Sequence, residues 1–154
     1  MSTYTATISW SRNGATFSDN KYSRVHEWSF DGGIRIPASA SPHIVPLPYS
    51  SEKAVDPEEA FVASLSSCHM LWFLNLAALK GFTVESYEDI AEGIMNHGAD
   101  KKLAVTQVTL RPNVKFTGAK IPSKEEADAL HHKAHDECFI ARSVKTDVRC
   151  EPRS

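Results

Sequence analysis

Three cysteines carry the reactive chemistry available to this chain of 154 residues: Cys68, Cys138 and Cys150. Cys68 lies within "VDPEEAFVASLSSCHMLWFLNLAALKGF", a run with no formal charge between Glu59 and Lys80, and Cys138 follows 70 positions later in "AHDECFIARSV". A cysteine held in apolar surroundings keeps its proton and is inert, whereas a reactive one needs a cation nearby to favour the thiolate. Burial as a small hydrophobe is therefore the baseline for each thiol, and it is the reading kept for Cys150. Metal binding is the other chemistry to weigh. His131, His135 and Cys138 have the spacing H-x3-H-x2-C, which would set three ligands on one helix face with Cys68 as a fourth. That set lacks the paired, short-spaced ligands usual in structural zinc sites, and no metal is expected. His69 adjoins Cys68 but is rotated by about 100° around a helix, so a core or helix-surface role is assigned to it.

The elements that must position these residues are marked in the sequence. Asp56 as N-cap, Pro57 at the first helical position and Glu59 at N3 open a long helix through Cys68, and Gly81 suits its end. The helix approaches the roughly 20 apolar residues that cross a bilayer, but Ser64, Ser66, Ser67, His69 and Asn75 interrupt it. A helix apolar nearly all round also belongs in the core of a protein or of an oligomer, and a soluble buried helix is expected. Two strands precede it. Tyr4, Ala6, Ile8 and Trp10 share one face of the first, and Tyr22, Arg24, His26, Trp28 and Phe30 one face of the second, with Asp31-Gly32-Gly33 as the turn. The proline-rich segment from Ile34 to Ser51 reads as an ordered loop or edge passage.

After the helix, Val84 to Met95 is a weak strand pattern, whereas Val108, Leu110, Pro112, Val114 and Phe116 alternate as one strand with Pro112 at an edge. Ser123 and Glu126 form a second capping box, opening an amphipathic helix to about Glu137, and Val144 to Cys150 reads as a last strand. The order is α+β, in a single domain over residues 1–154. With 17 basic against 19 acidic residues the chain has no electrostatic footprint for nucleic acid or an anionic membrane. The opening MSTYTATISW lacks the regions of a signal peptide, and three cysteines do not make a secreted disulfide scaffold, so a cytoplasmic location is expected.

From about Tyr22 to Val148 the sequence resembles the OsmC/Ohr family of peroxide-detoxifying proteins, and its OsmC-like branch in the wording "SSCHMLWFLNLA". The resemblance is carried by "DPEEAFVASLSSC", by the second cysteine in "AHDECFIARSV", and by the "FDGG" turn followed by "IPASASP". It implies antiparallel sheets wrapped around long buried helices in an interwoven homodimer. It also implies a thiol-dependent peroxidase in which Cys68 is the nucleophile and becomes a sulfenic acid, and Cys138 resolves it as a disulfide. An external dithiol, typically on a lipoylated protein, reduces that disulfide by exchange, with no metal or organic prosthetic group. The family's thiolate-stabilising arginine matches Arg24, with Arg12 as competitor, and the glutamate that holds it matches Glu58. On one straight helix, Glu58 and Cys68 are separated by roughly 15 Å, too far for one arginine to bridge. Either the helix begins later than its caps suggest or the two residues act from different subunits. An apolar-ligand-binding module without catalysis is the alternative from another class. Met70, Leu71, Trp72 and Phe73 are core residues in the simpler reading and pocket walls in the other.

Overall fold

The structure, a computed structural model, describes residues 1–153. It comprises two compact units, Met1–Ala60 and Phe61–Ser154. The first carries an antiparallel sheet in the order β1-β2-β3, with β1 at Ala6–Ser9, β2 at His26–Phe30 and β3 at Arg35–Ala38. Trp28 stands opposite Ile8 on one side and Ile36 on the other. The expected turn closes β2 onto β3, with the Gly33 N–H donating to the Phe30 carbonyl and Gly33 at a φ of +86° that other residues adopt only under strain. The second strand is shorter than its alternation suggests, because the chain enters the ladder only at His26. Conversely, the proline-rich segment supplies β3. Pro37 is tolerated there because β3 is an edge strand.

Helix α1, Pro57–Leu79, begins where its caps place it. The Glu59 N–H donates to Asp56 Oδ1, and the Asp56 N–H donates to Glu59 Oε2, a reciprocal capping box. At the other end Gly81 has a φ of +79°, the left-handed conformation that stops a helix. Its buried residues are Leu65, His69, Phe73 and Ala77, spaced by four, so the chain's own core takes one stripe of a helix that is apolar on most sides. Leu71 and Leu79 remain exposed. By length and composition α1 is the one helix among the described residues apolar enough to cross a membrane.

The rest of the second unit consists of β4 at Thr83–Asp89, β5 at Glu92–His97, β6 at Leu103–Leu110, β7 at Pro112–Thr117, helix α2 at Lys124–Glu137 and β8 at Asp147–Cys150. β4 pairs with β7 in one antiparallel sheet, and β5-β6-β8 form another, in which β8 runs parallel to β6. The fold is α+β, as its element order indicated. Two local readings change. The weak pattern after α1 makes two strands, and the single alternating run through Pro112 divides between two sheets. Asp89 holds the division together: its Oδ1 accepts the Arg111 N–H at 2.6 Å and its Oδ2 accepts the Ser66 hydroxyl on α1. With no N–H to give a ladder, Pro112 starts the new strand.

Two clusters make the core of this unit. Phe73, Ala77, Phe82, Leu130 and Ala134 pack between α1, α2 and the β4-β7 sheet. Leu65, Val108 and Leu110 pack with Val62, Val148 and Cys150 beneath the other sheet. Where β5 crosses α1, Gly93 leaves no room for a side chain: an added Cβ would stand 2.6 Å from Val62 Cγ2 and 3.4 Å from Val105 Cγ1. The substitution Gly93→Ala is therefore expected to destabilise the protein by about 1–3 kcal/mol, read as a lower urea midpoint. An unchanged midpoint would show that α1 and β5 approach less closely than described.

Candidate functional site

The second unit brings Cys68 and Cys138 together. Cys68 lies in the middle of α1 and is half-buried, while Cys138 is the C-cap of α2 and fully buried. Past Cys138 the chain turns through a short 3-10 segment, Ala141–Ser143, which aims the Ala141 N–H at Cys138 Sγ at 3.4 Å. Burial is the first cause that pushes the Cys138 thiol up to about 11, and the neighbouring Cys68 thiol is the second. Cys138 therefore holds its proton at neutral pH.

One aromatic pair flanks these thiols. Trp72, one turn beyond Cys68, meets the exposed Phe139 edge to face at a centroid distance of 5.4 Å. Phe73 belongs wholly to the core. A separate groove of about 620 Å³ lies between the end of α1 and α2, lined by Leu76, Leu79, Phe82, Leu130 and Lys133 and including neither thiol.

The first unit places Arg24, Arg12 and Glu58. The Arg24 guanidinium lies 3.8 Å over the Tyr22 ring and donates to the Asn20 carbonyl at 2.8 Å, the Tyr22 carbonyl at 2.5 Å and Asn20 Oδ1 at 2.6 Å. Arg12 is exposed and donates to the Ala15 carbonyl. Neither guanidinium is bonded to Glu58, whose Oε2 is buried with no hydrogen-bond partner. Because α1 is continuous from Pro57, the possibility that the helix begins after Glu58 is removed, and the roughly 15 Å rise from Glu58 to Cys68 stands.

Sequence reasoning missed a second cluster. His131 does not combine with His135, Cys138 and Cys68. Its Nδ1 lies 3.1 Å from His69 Nε2, which in turn lies 3.7 Å from Cys150 Sγ. The two imidazole planes lie 9° apart with their nitrogens facing edge to edge, and Phe73 stacks on His131 at 4.2 Å. Desolvation, then the charge of His135, pushes His69 down to about 4. Desolvation, then His69 itself, does the same to His131. Burial above all pushes the Cys150 thiol up to about 12. The signal for His69 was present in the sequence, since it falls four residues after Leu65 and four before Phe73 on the core stripe.

Comparison with known proteins places this arrangement in a family. The family profile described as OsmC-like protein matches residues 50–153, and the chain belongs to that family. A solved OsmC-like protein of unknown function from Vibrio cholerae O1 biovar eltor is 52% identical over 99% of this chain and 100% of its own, with a TM-score of 0.98. An organic hydroperoxide resistance protein OsmC from Legionella pneumophila shares the fold at 20% identity, covering 100% and 98% of the two chains with a TM-score of 0.71. OhrB of Bacillus subtilis, an organic hydroperoxide resistance protein, does so at 18% identity over 98% of each chain, also at 0.71. A search of curated proteins gave no match.

The neutral imidazoles set a pH dependence. Their folded pKa values lie below the usual histidine value, so the unfolded chain binds protons that the folded chain refuses. Stability from this pair is complete above pH 6.5 and is lost as pH falls toward 4, by on the order of 3 kcal/mol for the first imidazole protonated. Urea unfolding across that window is expected to show a falling midpoint, reduced in His69→Gln, where His131 still titrates from a buried position, and abolished in His69→Gln/His131→Gln. A wild-type profile that is flat between pH 6.5 and 4 would contradict the buried, neutral assignment.

Proposed function

We propose that this chain is a thiol-dependent hydroperoxide reductase with Cys68 as nucleophile and Cys138 as the resolving thiol. The observation that carries the reading is that these two thiols are neighbours, brought together from α1 and the end of α2 in a member of the OsmC-like family. The names of the Legionella and Bacillus relatives, organic hydroperoxide resistance proteins, agree with it. The Cys68 thiolate attacks the terminal peroxide oxygen, forming an S–O bond as the O–O bond breaks; sulfur becomes a sulfenic acid, and the alkoxide leaves as an alcohol by taking a proton from solvent. Cys138 then attacks that sulfur, expelling water and forming the Cys68–Cys138 disulfide. An external dithiol, such as a lipoylated protein, restores both thiols by exchange. Trp72 and Phe139 offer an apolar surface beside the thiols, which favours organic hydroperoxides over hydrogen peroxide.

The working form in this reading is a cytoplasmic homodimer. β1 is exposed along its whole length, and α1 leaves Leu71 and Leu79 uncovered. A lipid environment fits poorly, because α1 also carries Ser66 bonded to a carboxylate. A second copy covers these surfaces and completes the site. Glu58 Oε2 lacks a donor among the described residues, and Arg24 is bonded there only through Nη1 and Nη2, so each is suited to a partner across the dimer. Light scattering on a sizing column is expected to give twice the chain mass, and a monomer at micromolar concentration would remove this completion of the site.

Thiol titration before and after one equivalent of an organic hydroperoxide tests the chemistry. Two thiols per chain are expected to vanish in the wild type, and none in Cys68→Ser, with peroxide turnover reduced on the order of 10³-fold or more. Cys138→Ser is expected to stop at a sulfenic acid that a dimedone-type probe captures. Survival of all thiols in the wild type would sink the peroxidase reading.

A further inference from the structure

Thiol chemistry leaves His69, His131 and Cys150 without employment, yet the fold converges all three. They come from the middle of α1, from α2 and from the last residue of β8, and among the described residues they are the group of three whose ligand atoms all lie within 4.8 Å of one another. The geometry points to a zinc site formed by His69 Nε2, His131 Nδ1 and Cys150 Sγ.

The distances support that assignment. Zinc bonds of about 2.0–2.1 Å to nitrogen and about 2.3 Å to sulfur, at tetrahedral angles, separate two nitrogens by about 3.3 Å and nitrogen from sulfur by about 3.6 Å. The corresponding separations from His69 Nε2 are 3.1 Å to His131 Nδ1 and 3.7 Å to Cys150 Sγ, and all the ligand atoms lie within 4.8 Å of one another. Protein groups alone satisfy this cluster poorly. His69 and His131 are both buried, and His69 Nδ1 has no hydrogen-bond partner. The facing nitrogens can share only one proton between them, and the thiol reaches only the same His69 nitrogen. Two imidazoles and a thiol in an aromatic core cost stability that leucine or valine would not, unless something binds them.

A cation accounts for the choice of residue types. Imidazole and thiolate are the ligands zinc prefers, and Cys150 would bind as thiolate with its proton released to solvent. The fourth position is left to solvent, and Tyr87 on β4 is the neighbouring polar group, with a hydroxyl buried without a partner and a ring centre 6.5 Å from that of His131. The ligands are held by the core on three sides, and β8, an edge strand of four residues, is the element whose local opening admits the ion. Zinc bound here would tie β8 to both helices. It would also keep Cys150 out of thiol–disulfide exchange with the Cys68–Cys138 pair.

The experiment is independent of the peroxidase reading, because it uses the Cys68→Ser/Cys138→Ser chain, in which Cys150 is the one cysteine left. Chelator-washed protein is titrated with Co2+ and then with Zn2+. One equivalent of Co2+ is expected to give the strong visible bands of tetrahedral cobalt together with a thiolate-to-cobalt charge-transfer band, and Zn2+ is expected to displace it and raise the melting midpoint. His69→Gln in this background is expected to weaken binding by more than about 100-fold, beyond the range of outer-shell losses. Should the doubly substituted chain fail to fold, the wild type gives the same answer: one equivalent of Zn2+ is expected to protect Cys150 from alkylation, read by peptide mass spectrometry. Absence of the charge-transfer band in folded protein, or full alkylation of Cys150 with Zn2+ present, overturns the proposal, as does cobalt affinity unchanged by His69→Gln.

Discussion

The orientation of α1 about its own axis governs the chemistry of the second unit. Leu65, His69, Phe73 and Ala77 recur every four residues and turn toward the two sheets and α2. Each large apolar side chain on that stripe contributes about 1.5–3 kcal/mol by leaving water, and together they fix the rotation. Cys68 precedes His69 by one residue and is therefore about 100° off the stripe. That offset leaves Cys68 half-buried at the end of α2 while His69 is carried into the core. A one-residue shift in the stripe would exchange the two environments and dismantle both clusters.

The same fold gives its three thiols unequal chemistry. Cys138 and Cys150 both hold their protons firmly, for burial dominates in each, but their neighbours differ. Cys138 faces another sulfur and receives the Ala141 N–H, an arrangement in which a proton is retained until the neighbouring sulfur becomes electrophilic. Cys150 faces an imidazole in an aromatic surround. Sulfur beside sulfur favours redox exchange, and sulfur beside neutral imidazoles favours a cation. Burial alone, the baseline for any cysteine, does not distinguish them.

Much of the fold was legible in the sequence because its signals are local. The caps at Asp56, Glu59, Ser123 and Glu126 act within one helical turn, and all form the bonds their spacing indicates. The Asp31-Gly32-Gly33 turn is equally local. Strand readings fared worse where tertiary pairing intervened. The alternation from Val108 to Phe116 continues through Pro112, yet Asp89 draws the Arg111 N–H aside and the two halves join different sheets. Residues Glu92–His97 pair with β6 despite a weak pattern, because Gly93 permits an approach to α1 that a larger residue would block.

The sequence by itself determined the α+β class, the extent of both helices and, through its motif wording, membership of the OsmC-like family, since these follow from short-range capping and from local motifs. Tertiary structure alone decided which side chains meet. His131 and Cys150 are 19 positions apart, and His69 lies 62 positions before His131, so no periodicity couples them. Their meeting results from packing α1 against α2 and laying β8 beside β6, contacts that depend on the rotation of each element about its own axis. Local sequence sets which faces of an element are apolar, but only the packed core selects which polar groups on those faces end within bonding distance.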